Sequence, residues 1–187
     1  MIGDPQSNKI LSMIETVGMG AETAGNWYHQ GVEGSYQAAK KDLDAAFALN
    51  DVFTNIGTSV SVPPALLAAI ASRESGIGRM LDDNGCGDGG HAFGICQIDK
   101  RYNTVLGQPD PKSQAHILQA ANHLKSFLYT VSQDHPSWAA PMQLRGAVAA
   151  YNMGAKNVLS ISGMDEGSTS NVYSADVWER ARFFAGF

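Results

Sequence analysis

The residue that breaks pattern is Glu74. The run Leu66-Leu67-Ala68-Ala69-Ile70-Ala71 reads as an apolar helix, and Glu74 follows Ile70 by four positions and Leu66 by eight, so its carboxylate falls on the apolar face. Burial disfavours the charged form of a carboxyl group, and the C-terminal end of a helix carries a negative partial charge. Both push the pKa upward. A carboxylic acid that keeps its proton near neutral pH is what general acid catalysis requires. The ordinary alternatives are a structural glutamate paired with Arg73 or Arg79, or one turned out to water from the last turn. Position alone leaves these open. Beyond Glu74, the segment holding Gly85, Gly87, Gly89, Gly90 and Gly94 also carries Asp82, Asp83, Asp88 and Asp99. Flexible backbone can bring such carboxylates back over the helix end, and glycoside hydrolysis uses two carboxyl groups across the scissile bond. A calcium loop is the competing use of clustered Asp and Gly, but the run from Asp82 to Asp88 lacks the alternating ligands and closing Glu of an EF-hand. Asp82 and Asp83 are most simply solvated turn residues.

The elements that must position these groups follow from periodicity and punctuation. Residues 1–34 carry Gly18, Gly20, Gly25, Gly31 and Gly34 among polar residues, and read as an irregular lead-in rather than a packed element. Ser35 reads as a cap for an amphipathic helix through Tyr36, Ala39, Leu43, Ala46 and Phe47, with Lys40, Lys41 and Asp42 on its wet side and Asn50 and Gly57 bracketing its exit. Pro63 and Pro64 open the helix that carries Glu74, because proline at the first helical position gives up only an amide without a partner. That helix should stop at Ser75-Gly76. The glycine-rich stretch after it favours turns and short hairpin strands. Pro109 and Pro111 close a loop before a core helix over 114–131, marked by Ile117, Ala121, Leu124, Leu128 and Val131. Pro141 opens a further helix that Gly154 ends, and a last helix carries Tyr173, Val177, Ala181 and Phe184. The sum is α+β, mainly helical with one small β-hairpin region, and a single domain over 1–187.

Composition narrows the function classes. The chain has 187 residues, 44% hydrophobic and 17% charged, which is ordinary for a globular protein. At this size a domain buries roughly 70% of its unfolded surface, so neither disulfides nor a metal are needed for folding. A formal net charge of −5 argues against a nucleic-acid protein held by phosphate contacts and gives no general attraction to anionic surfaces. No run approaches the ~18 apolar residues of a membrane-spanning helix. The start, Met1-Ile2-Gly3-Asp4-Pro5, lacks the basic and apolar regions of a secretory leader, so a leader was either never present or already removed. His29, His91, His116, His123 and His135 are scattered and read as surface or packing residues. No metal or cofactor is implied. Cys86 and Cys96 lie symmetrically about His91, so a hairpin turning near Gly90 and His91 would make them face each other and allow a disulfide. Free, structural thiols are nevertheless the expectation, with no role as a nucleophile.

Five blocks make a more specific statement together: Ile70-Ala-Ser-Arg-Glu-Ser75, Gly85-Cys-Gly-Asp88, Phe93-Gly-Ile-Cys-Gln-Ile-Asp-Lys-Arg101, Pro136-Ser-Trp138 and Ala150-Tyr-Asn-Met-Gly154. In order and spacing this set is similar to the signature of goose-type lysozymes, from about Ser35 to the C-terminus. The resemblance implies a lysozyme-like α+β fold with the sugar cleft between helices and hairpin. It further implies a monomeric, secreted enzyme that cuts β-1,4 linkages of bacterial peptidoglycan, with chitin oligosaccharides as a further substrate. Glu74 matches the family's proton donor, and Asp88 and Asp99 its two catalytic aspartates, which hold and activate water in an inverting hydrolysis. Gln97, Tyr151, Asn152 and Tyr173 match residues lining the cleft, where amide and phenol groups can bond sugar hydroxyl and N-acetyl groups. Each has a plainer reading as a satisfied structural polar residue. The sequence departs from the usual pattern at Ile95-Cys96, where the family has Leu-Met, at Cys86, where an aromatic is usual, and at Asn103, where a histidine is frequent. Lytic transglycosylases share the Glu-Ser and Ala-Tyr-Asn elements but use the sugar's own hydroxyl in place of water, so Asp88 and Asp99 favour hydrolysis. A non-catalytic glycan-binding module is the remaining alternative.

Overall fold

The computed structural model describes all residues, 1–187. It contains eight α-helices and a small antiparallel sheet: α1 (Ala21–Ala24), α2 (Gly31–Lys41), α3 (Leu43–Ala48), α4 (Asn50–Val60), α5 (Pro64–Ser75), β1 (Cys86–Gly87), β2 (Ala92–Phe93), β3 (Ile98–Asp99), α6 (Gln114–Asp134), α7 (Ala140–Met153) and α8 (Tyr173–Ala185). This is the expected α+β arrangement. The centre is α5, whose residues from Pro64 to Ser72 are all buried. A helix apolar on every side has to be enclosed, and α4 and α8 pack against it while α7 bridges α6 and α8. Phe53, Leu66, Ile70, Ile117, Trp178 and Phe184 are among the fully enclosed side chains. No single helix is long and apolar enough to cross a membrane.

The boundaries of α5 fall where the prolines and Gly76 placed them. Pro64 occupies the first turn, and Gly76, left-handed at φ 59°, gives its N–H to the Ala71 and Ser72 carbonyls. The buried Asn8 supplies a cap from outside the helix, its side-chain oxygen accepting the Ala65 N–H at 3.2 Å while its amide donates to the Ile2 carbonyl. The lead-in is therefore irregular but packed: Ile2 and Leu11 are fully buried, and the Ile2 N–H donates to Phe184 at 2.7 Å. Ser35 is not a cap either. It lies inside α2 and its hydroxyl donates to Asp176 at 2.8 Å.

Nor does the first amphipathic helix run straight on or end at Asn50. It breaks at Asp42, and a further helix, α4, occupies the residues read as its exit. Gly57 sits within α4 because the chain doubles back onto it: a Cβ there would lie 2.6 Å from the Val62 carbonyl oxygen. Asp42, expected on the wet side, is buried and accepts hydrogen bonds from Ser72 at 2.8 Å and Arg79 at 3.0 Å.

In the sheet, Cys86 pairs with Phe93 and Gly87 with Ala92, while Ala92 pairs with Asp99 and Phe93 with Ile98. Cys96 lies in the β2–β3 turn and not opposite Cys86, so the symmetric placement about His91 does not bring the sulfurs together. Both thiols are free and buried.

Candidate active site

Glu74 sits in the last turn of α5, partly buried, and its carboxylate accepts a hydrogen bond from the hydroxyl of Tyr173, a fully enclosed residue at the start of α8. Burial pushes its pKa up. The Tyr173 hydroxyl and the nearby charges of Arg73 and Arg180 act the other way without cancelling that effect. The pairing that would have made Glu74 a structural residue is absent, because both candidate arginines are engaged elsewhere. Arg73 contacts Asp176 at 3.0 Å and Thr23 at 3.1 Å, and Arg79 contacts Asp42 at 3.0 Å.

The β2–β3 turn is fastened to three helices. From α5, the Ser75 hydroxyl donates to the Ile95 carbonyl at 2.9 Å. From α6, His116 accepts the Cys96 N–H at 3.1 Å, which requires a neutral ring, and burial pulls its pKa down to about 4. From α7, the Tyr151 hydroxyl donates to the Cys96 carbonyl at 2.9 Å. Gln97, left-handed at φ 50°, closes the turn by donating its side-chain amide to Gly94 at 2.8 Å, and Gly87 makes room for it, since a Cβ there would lie 2.2 Å from its side-chain oxygen. A turn held in this way fixes where β3 delivers Asp99.

Asp99 and Asp88 meet through Arg101. Its guanidinium grips both oxygens of Asp99, donating from Nη2 to Oδ2 at 2.6 Å and from Nε to Oδ1 at 3.0 Å, and reaches Asp88 at 3.4 Å. Arg101 holds the Asp99 carboxyl below the usual carboxylate range. Asp99 is about one-quarter exposed, and Asp88, left-handed at φ 51°, is largely exposed. Gln97, Asp99 and Tyr151 line one open cavity of about 310 Å³ between the sheet and α6. Asn152 is placed differently. Its amide group is occupied with Thr169, accepting the backbone N–H at 3.0 Å and donating to the hydroxyl at 3.2 Å.

This geometry sits in a chain whose relatives are well defined. A family model described as Lysozyme g matches residues 10–186. The chain is 35% identical over 190 residues to Lysozyme G of Dromaius novaehollandiae, covering 98% of this chain and 92% of that one. Lysozyme g of Gallus gallus is 36% identical over 176 residues, covering 93% and 82%, and that of Cyprinus carpio is 36% identical over 155 residues, covering 83% and 82%. The chain belongs to the lysozyme g family.

As a member of the lysozyme g family the chain is a glycoside hydrolase, and two features of its site went unread in the sequence. Arg101 stands two positions from Asp99, at the end of the block from Phe93 to Arg101, but its spacing does not reveal that it spans both aspartates. The second is the buried chain of polar groups behind Glu74, in which Asp176 binds Arg73, Arg180 and Ser35 while Ser72 links Arg180 to Asp42. One signal for it was available: Asp176 and Arg180 are four apart on α8 and flank its apolar stripe, the spacing of an intrahelical ion pair.

Proposed function

We propose that the chain hydrolyses the β-1,4 bond between N-acetylmuramic acid and N-acetylglucosamine in peptidoglycan with inversion, using Glu74 as general acid and Asp99 with Asp88 to hold and activate water. The observation that carries this reading is the contrast in setting of two carboxyl groups: Glu74 is partly buried beside the Tyr173 hydroxyl, where desolvation favours its protonated form, and Asp99 is gripped by the Arg101 guanidinium, which favours its ionised one. Environments that push two titratable groups apart assign the acid and base roles. Glu74 gives its proton to the glycosidic oxygen as the bond to the anomeric carbon breaks. Water then adds to that carbon from the opposite face and loses a proton to the aspartate side, so no covalent sugar intermediate forms. Tyr173 orients the Glu74 carboxyl. Gln97 and Tyr151 supply polar and aromatic contacts to the sugar, and Asn152 supports the turn at Thr169 from beside them. Chitin oligosaccharides share the N-acetylglucosamine backbone and are secondary substrates. The site is completed within one chain, in keeping with a monomer, and an enzyme of this specificity acts outside the cell that makes it, against bacteria.

Product analysis by NMR tests the mechanism: the α-anomer is expected first from a β-linked substrate. A first-formed β-anomer would mean a retaining enzyme, and a 1,6-anhydro sugar a transglycosylase. The role of Arg101 gives a second test. Replacing it (Arg101→Ala) removes the cation that keeps Asp99 ionised, so the Asp99 pKa rises and the acidic limb of the kcat/KM profile moves to higher pH. An unmoved limb would mean that Asp99 is not the ionised group the reaction needs.

A further inference from the structure

Tyr173 is the first residue of α8, and Val172, at the cap position before it, has no side chain able to accept the free N–H groups of the opening turn. Asp165 accepts them from outside the helix. Its Oδ1 takes the Ser174 N–H at 2.6 Å, and its Oδ2 takes the Ala175 N–H at 3.2 Å and the Ser174 hydroxyl at 2.8 Å. This carboxyl is buried, and Arg145 of α7 donates to its Oδ2 at 2.9 Å and to the Ser174 hydroxyl at 3.0 Å. A carboxylate suits the positive end of a helix, and hydrogen bonds to an ionised group are roughly twice as strong as neutral ones. The turn between Asp165 and Tyr173 is tied down as well. The Tyr173 N–H donates to the Ser168 hydroxyl at 3.3 Å, the Ser168 N–H to the Asp165 carbonyl at 2.9 Å, and the Thr169 N–H to Asn152, which follows Arg145 along α7, at 3.0 Å.

We propose that Asp165 is a positioning residue for the acid: by fixing the first turn of α8 against α7, it sets the place from which the Tyr173 hydroxyl binds Glu74. Its side-chain hydrogen bonds all go to that turn and to Arg145, so it acts on Glu74 through Tyr173. Given the part Tyr173 plays in the mechanism above, the pH profile separates this from a purely structural contribution. Around Glu74 stand Arg73 on its own helix, Tyr173 and Arg180 on α8, Tyr151 on α7 and Cys96 in the β2–β3 turn. Of these, the Tyr173 hydroxyl is the strongest influence holding the Glu74 pKa down against burial. Loss of the Asp165 contacts loosens that hydroxyl, the Glu74 pKa climbs, and the basic limb of the kcat/KM profile moves to higher pH. Removal of a negative charge that acted on Glu74 directly through space would move the limb to lower pH. The sign of the shift therefore identifies the route.

Asp165→Asn is made alone and together with Arg145→Met, which removes the cation that the first substitution leaves unpaired and so protects the fold. Asparagine keeps one acceptor and turns an NH₂ group toward donors that the second carboxylate oxygen had served. Profiles are measured on soluble peptidoglycan fragments, well below the Tm of each variant. Both variants are expected to raise the basic limb, in the same direction as Tyr173→Phe, and to lower kcat about tenfold with KM near that of the wild type, short of the ~100-fold that a 1 Å misplacement can cost. Adding Tyr173→Phe to either should move the limb no further than Tyr173→Phe alone, because the contact through which Asp165 acts is then already gone. A limb that stays or falls in the Asp165 variants while Tyr173→Phe raises it, or shifts that simply add, would overturn the assignment of Asp165. A limb unmoved by Tyr173→Phe itself would show that Tyr173 does not act on Glu74, and both readings would fall together.

Discussion

Glu74→Gln is expected to lower turnover ~100-fold or more, the size of a general-acid contribution, while the fold stays intact. Glutamine occupies the same volume and still offers the Tyr173 hydroxyl an acceptor, so what is lost is the acidic proton alone. The same substitution should raise thermal stability at neutral pH. The folded pKa of Glu74 is raised above its ordinary value of 4.5. The folded state therefore binds this proton more tightly than the unfolded state does, and the resulting stability is fully present below about pH 4.5 and lost as pH rises through the folded pKa. Glutamine titrates nowhere, so the variant escapes that loss, and its advantage in melting temperature should grow from acid to neutral pH. Turbidity clearing of a bacterial suspension and melting curves at the two pH values measure both effects. Equal clearing by variant and wild type would remove Glu74 from the mechanism. Binding of the wild type to walls without clearing would instead indicate a glycan-binding module.

What could be read from the sequence was what local chemistry decides. Pro64 and Gly76 bound α5 because the constraints on φ act at those residues whatever lies around them. The stripe through Ile117, Ala121 and Leu124 gave α6, and the glycine-rich stretch gave the hairpin. Glu74 stood out because a carboxylate on an apolar face is costly. What stayed hidden depends on groups far apart in the chain. Ser35 reads as a cap in isolation, yet its partner Asp176 lies 141 residues away. Asp42, after two lysines, reads as solvated, and only the approach of Ser72 and Arg79 makes its burial affordable. Gly34 suggested a loop and lies inside α2 instead, where glycine is needed because a Cβ would lie 1.8 Å from the His29 carbonyl oxygen. The candidate site divides the same way: the types and order of its carboxylates can be read along the chain, while the bridging of Asp88 and Asp99 by Arg101 and the engagement of Asn152 with Thr169 arise only from folding.

Asp176→Asn is expected to be the most destabilising of these substitutions. Asp176 is 1% exposed and accepts from the Ser35 hydroxyl at 2.8 Å and from Arg180 through Nε and Nη2, both at 3.0 Å, and it forms an ion pair with Arg73, whose Nε lies 3.0 Å away. Asparagine removes the negative charge and turns an NH₂ group toward one of these donors, leaving two guanidinium groups without their counter-charge. Breaking a buried pair in this way costs about 3–5 kcal/mol, which in a domain of this size lowers Tm by roughly 10 °C. Activity should change in a way that simple destabilisation does not produce. Arg73 and Arg180 already act to lower the Glu74 pKa, and Asp176 is the nearest charge opposing them. With it neutralised, both cations act on Glu74 more strongly, and the acid loses its proton at lower pH. The basic limb of the pH–rate profile should therefore move down, measured well below the lowered Tm so that only folded enzyme contributes. Replacing the whole group with apolar side chains, Arg73→Met, Asp176→Leu and Arg180→Met together, should recover most of the stability, since no unpaired charge is then left inside. A Tm within 2 °C of wild type in Asp176→Asn would mean that the arginines find other partners, and a basic limb that stays in place would mean that their charges do not reach Glu74.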